Sequence, residues 1–145
     1  MDKLIKIAQE HDEYIKVISL IDKSLGTIES HGEPSIMEKL KKFIDVYLVA
    51  HFKFEENELF PIILTIGSPE ENHLIRELQI EHVQILDEIT QFNDLLSSGG
   101  YHSKETVQIK EIHWYSKKII YMVIQHARKE DRELIPILKK YENYF

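Results

Sequence analysis

A chain of 145 residues with no cysteine can bury a substantial core, but disulfides, thiolate metal sites and thiol redox chemistry are excluded. A formal net charge of -7 with no Lys and Arg cluster argues against a nucleic-acid partner. No apolar run approaches the ~20 residues of a membrane span, so the sequence predicts a soluble, cytoplasmic chain folding as a single domain over residues 1–145, in which any metal is held by nitrogen and oxygen.

From Leu4 to about Ile28 the apolar residues fall at helical spacing, with His11 on the stripe. Ser30-His31-Gly32-Glu33-Pro34 breaks this first helix, and Pro34 suits the first turn of the next. The second helix presents Leu40, Ile44, Tyr47, Leu48, His51, Glu55, Leu59 and Ile62 on one face, and Pro61 is expected to bend its last turn. Ser68-Pro69-Glu70-Glu71 is a helix start, with Ser68 as cap and Glu71 completing a capping box. The third helix then places Ile75, Leu78, His82, Ile85, Leu86 and Ile89 inward. After Ser97-Ser98-Gly99-Gly100, the fourth helix begins near Ser103 and turns Ile112, Ile119, Val123, His126, Glu130, Leu134 and Ile137 inward. Four long helices with short links predict an all-α, up-down-up-down four-helix bundle.

The two halves repeat each other. HFKFEENELFPIIL at 51–64 aligns with HARKEDRELIPILK at 126–139, matching His51 with His126, Glu55 with Glu130 and Pro61 with Pro136. Glu10-His11 and Glu81-His82 form a shorter echo upstream. Residues four apart share a helix face, so His51 with Glu55 and His126 with Glu130 point the same way, on stripes that face the core. A single inward histidine is most often an ordinary core residue. Four histidines with two glutamates are different, because unpaired buried carboxylates demand a cation or a proton. At ~1.5 Å per residue, His11, His51, Glu55, His82, His126 and Glu130 fall within about 10 Å along the bundle axis. His31 and His102 belong to the far end, while His73 and His113 miss the layer by on the order of 10 to 20 Å and read as surface or helix-end residues.

Six such ligands exceed one tetrahedral zinc but suit two metals bridged by two carboxylates, with two imidazoles on each ion and room for an oxo or hydroxo bridge. Non-haem iron comes first, and manganese or zinc would suit the same donors. Around the site, Tyr47 is a candidate to hydrogen-bond a metal-bound ligand, and Glu10 and Glu81 are candidates to orient an imidazole.

These residues resemble the hemerythrin-like, HHE cation-binding family: a histidine in helix one (His11), His-x-x-x-Glu-Glu then Leu-Phe-Pro in helix two (His51, Glu55, Glu56, Leu59 to Pro61), Glu-His in helix three (His82), and His-x-x-x-Glu-Asp in helix four (His126, Glu130, Asp131). Within it the chain is most similar to the hemerythrin-like domain of iron-centre repair proteins, which also carry a small cysteine-containing N-terminal domain that this sequence lacks. Oxygen-carrying hemerythrin has a fifth histidine, two of the five lying four apart on helix three. Here Leu78 and Leu86 flank His82 at that spacing, so a symmetric four-histidine site is expected. The resemblance implies a di-iron protein that binds or reacts with dioxygen, nitric oxide or peroxide, or that holds labile iron. The alternative is a storage or sensing module acting through a protein partner, without catalysis.

Overall fold

The computed structural model describes residues 2–27, 34–97 and 106–145, and the side chains of residues 3–23, 38–97 and 110–145. The expected break at Ser30 to Glu33, the Ser98-Gly99-Gly100 connection, the helix start near Ser103, and His31 and His102 lie outside the described residues. The first helix is Asp2–Thr27, the second runs over residues 34–66, the third is Pro69–Ser97 and the fourth runs over residues 106–140. Cross-helix pairs give their directions. Lys3 meets Glu58 while Tyr14 meets Tyr47, Asn72 meets Leu64 while Gln79 meets Glu56, Lys118 meets Glu88 while Lys129 meets Glu77, and His11 meets Asp131 while Lys117 meets Asp22, so each neighbouring pair is antiparallel. The result is the expected up-down-up-down four-helix bundle.

The turn between helices two and three follows its sequence closely. The Ser68 amide donates to Glu71 Oε1 at 2.9 Å, and the Glu71 amide donates to Ser68 Oγ at 3.2 Å, closing the capping box. Tyr141 and Lys140 bond the same carboxylate at 2.7 and 3.0 Å, which ties the end of helix four to the start of helix three.

Neither proline ends its helix. Helix two widens to π-helical geometry over Glu55–Leu59 and returns to α at Phe60–Ile66, and helix four does the same over Glu130–Leu134 before Ile135–Lys140. Proline lacks an N–H and its ring crowds the carbonyl four residues back. A turn closed five residues apart accommodates the ring, and such turns recur at functional sites. Each begins at one of the two motif glutamates. A further π-helical stretch, Phe43–Leu48, lies earlier in helix two.

The core comes in two parts. Tyr14, Ile18, Phe43, Ile44, Leu48, Ile89, Phe92, Ile119 and Val123 pack toward one end, while Ile7, Leu59, Phe60, Ile63, Ile75, Leu78, Leu134 and Leu138 pack toward the other. Between them lies a buried polar layer. Among the described residues no helix is long and apolar enough to cross a membrane.

Candidate metal centre

That layer consists of His11, His51, Glu55, His82, His126 and Glu130, all buried. They form two groups sharing both glutamates: His11, His51, Glu55 and Glu130 make one, and Glu55, His82, His126 and Glu130 the other. Within each group four ligand atoms lie within 4.8 Å of one another. The His11 and His51 Nε2 atoms are 3.1 Å apart, and those of His82 and His126 are 3.0 Å apart. His11 Nε2 lies 3.0 Å from Glu130 Oε1, and His82 Nε2 lies 3.0 Å from Glu55 Oε1. All six sequence-derived candidates are therefore brought together, with every imidazole turning Nε2 inward.

The outward Nδ1 atoms each meet a carboxylate, and the pairing crosses between helices. His11 Nδ1 donates to Asp131 at 2.6 Å, His51 to Glu10 at 2.5 Å, His82 to Glu56 at 3.0 Å and His126 to Glu81 at 2.9 Å. Glu10 and Glu81 thus orient imidazoles as expected, but those of the next helix and not of their sequence neighbours. Glu56 and Asp131 fill the same role, which their place one residue after each motif glutamate could have suggested: a step of about 100° moves a side chain from the inward stripe to its edge. Tyr47 does not reach the centre. It is 46% exposed, and the tyrosine beside the site is Tyr14, 5% exposed, with its ring 5.0 Å from that of His51 and its hydroxyl donating to the Tyr47 carbonyl at 3.0 Å. Phe52 stacks on His82 at 4.0 Å, and Phe60 lies parallel at 5.6 Å.

The other described histidines stay apart from the layer. His73 is a surface residue paired with Glu77 at 2.8 Å, whereas His113, expected at the surface or a helix end, is half-buried and its Nε2 is enclosed. Leu86 also departs from expectation. It is 36% exposed, because Ile85 takes the inward position beside it.

A family model for the hemerythrin HHE cation binding domain matches residues 3–138. The chain belongs to the hemerythrin HHE cation-binding family. No curated protein and no solved structure matches it.

The electrostatics of this HHE domain fit a cation. Glu55 Oε2 and both Glu130 oxygens are buried without a hydrogen bond, although isolated buried carboxylate oxygens are costly. Burial and the Glu130 charge push the Glu55 carboxyl up. Burial also opposes ionisation of Glu130, but the His126 charge and the Glu55 and His11 contacts outweigh it and hold that carboxyl well below the usual range. For His51, burial disfavours the charged form, yet the bond to Glu10 and the nearby Glu130 and Glu55 carboxylates raise it to about 11. His126 rises to about 10 against the same burial, through Glu130, Glu81 and Glu55, and His11 is raised through Glu130 and Asp131. Protons on the HHE imidazoles thus offset the glutamates when no cation is bound. Four imidazole nitrogens and four carboxylate oxygens converging on one enclosed layer is a hard-to-intermediate donor set suited to a first-row divalent metal. This HHE domain is a metal-binding domain.

Proposed function

We propose that the six buried residues hold two non-haem iron ions, with Glu55 and Glu130 shared between them, and that the protein reacts with a small molecule such as dioxygen, nitric oxide or peroxide. One observation carries the reading: the two ligand groups are matched, each offering two histidines and the same two glutamates. Iron held this way would supply one-electron and oxygen chemistry. The chain's part is to position, enclose and balance charge. His11 and His51 would serve one ion and His82 and His126 the other, each imidazole fixed in its tautomer by the carboxylate behind it. Phe52 and Phe60 pack against His82 and Tyr14 packs against His51, which fixes the imidazoles in place. Manganese would suit the same donors, whereas zinc, which has no accessible redox change, would bind there without supplying that chemistry. The likeness of Glu81-His82 and the two His-x-x-x-Glu motifs to iron-centre repair proteins favours a second reading, in which the iron is labile and held for transfer.

Reversible oxygen carriage is disfavoured, since a carrier needs one iron filled by a third histidine and the other left open. Leu78 is buried and Leu86 sits at the surface where that histidine would lie. Dioxygen added to the reduced, iron-loaded protein should therefore cause a lasting change in visible absorption that argon purging does not reverse. Recovery of the colourless protein over repeated cycles would refute this assignment.

A further inference from the structure

The repeat makes the inner ligands of the two positions equal, so any difference between them must come from what surrounds the imidazoles. The surroundings differ in two independent respects.

The first is the strength of the carboxylates behind the histidines. At the His11–His51 position, Asp131 accepts from His11 at 2.6 Å and has no other hydrogen-bond partner among the described residues. Glu10 accepts from His51 at 2.5 Å, and among the described residues the cation paired with it, Lys6, stands off at 3.8 Å, with the Tyr14 hydroxyl at 3.3 Å. At the His82–His126 position the bonds are longer and the carboxylates are shared. Glu56 accepts from His82 at 3.0 Å while Gln79 takes its other oxygen at 3.0 Å. Glu81 accepts from His126 at 2.9 Å while Lys129 holds its other oxygen at 2.7 Å and also binds Glu77 at 2.9 Å. Short charge-assisted bonds to an uncommitted carboxylate raise the basicity of an imidazole. A lysine in contact with that carboxylate withdraws the benefit, and its effect falls with distance. His11 and His51 are the more strongly donating pair.

The second is access. A cleft of about 200 Å³ between helices two and three is lined by Val49, Phe52, Glu56, His82, Val83 and Leu86 among others. Another of about 320 Å³ between helices three and four is lined by Glu81, Gln84, Tyr121, His126, Lys129 and Arg132 among others. Both border histidines of the same position. On the flank between helices one and two, the corresponding cleft of about 200 Å³ stops at Tyr14, whose ring covers His51.

We infer that the two metal positions are unequal, and that the His82–His126 position is the weaker one, where metal exchanges with solvent through the clefts beside those histidines. This rests on the reading of the six residues as a two-metal centre. Chelated, metal-free protein titrated with cobalt(II), followed by its visible absorption and by competition with a chelator, separates the two claims. Wild type should take up two ions in steps about 10- to 100-fold apart, the range that outer-shell partners command. His126→Ala should remove the weaker step and keep the tighter one, whereas His51→Ala should remove the tighter. Lys129→Met, which frees Glu81 without touching an inner ligand, should tighten the weaker step by roughly tenfold and leave the other in place, and this variant decides the matter even where an alanine variant fails to fold. Two equal steps in wild type, or a weaker step unmoved by Lys129→Met, would overturn the inequality while leaving the two-metal centre standing. No cobalt uptake at all would sink the two-metal reading, and this inference with it.

Discussion

Raising the pH of the metal-free protein should loosen it far more than an ordinary helical bundle. His51 and His126 are held at about 11 and about 10 in the fold, against an ordinary histidine value of about 6.5. A raised value of this kind contributes stability that is fully present below about pH 6.5 and is lost as pH rises toward the folded value. Between about pH 7.5 and 9 the folded state thus carries up to one extra proton on each histidine, and each proton costs about 1.4 kcal/mol of stability per pH unit. Two such groups give an upper limit of about 4 kcal/mol over that interval, and the glutamates they share reduce it to on the order of 2 to 4 kcal/mol. That is a large part of the ~5 to 15 kcal/mol that holds a typical domain together. His11 and Glu55 are raised too and act in the same direction. The assay is urea unfolding with a chelator present, followed by circular dichroism at several pH values in the interval. Metal should reverse the trend, because the ligands must give up their protons to bind, so loading near pH 8 should release about two protons and become tighter as pH rises. A metal-free midpoint that stays level or climbs from pH 7.5 to 9 would show that the imidazoles do not hold these protons.

Other perturbations act more locally. His51→Ala or His126→Ala should lower the bound metal from about two ions per chain to one or fewer, while His73→Ala, remote on the surface and paired only with Glu77, should leave it unchanged; elemental analysis decides. Gly67→Ala should cost roughly 1 to 3 kcal/mol in urea unfolding with metal content retained, because a Cβ there would stand 2.6 Å from the Ile63 carbonyl oxygen, which is backbone and cannot swing aside. An unchanged midpoint would mean that the turn after helix two yields more easily than its geometry implies.

The bundle and its six central residues were legible because periodicity and duplication are properties of the chain itself. A stripe of 3.6-residue spacing places His11, His51, Glu55, His82, His126 and Glu130 inward whatever the detailed packing. The outer carboxylates were half legible. Glu10 and Glu81 could be suspected from their position beside the stripe, but which imidazole each would meet depends on how neighbouring helices rotate against one another, and no single helix contains that information. Tyr47 failed for a different reason. Counting back four residues from His51 assumes an unbroken α-helix, and the π-helical stretch over Phe43–Leu48 changes the phase, so that Tyr47 turns outward and Tyr14 from helix one takes the place beside His51. The same widened geometry at Glu55 and Glu130 was signalled by Pro61 and Pro136, although proline alone does not say whether a helix will bend or loosen.

The polar layer that divides the core has a consequence for cooperativity. Apolar packing couples residues only where it is continuous, and here the oily contacts around Phe92 and those around Phe60 meet across a waist of imidazoles and carboxylates. Ions bound at that waist would fasten all four helices at one height and make the two ends melt as one body. With the waist holding only protons, the ends are free to come apart at different temperatures, so the width of the melting transition, and not only its midpoint, reports on occupancy of the centre.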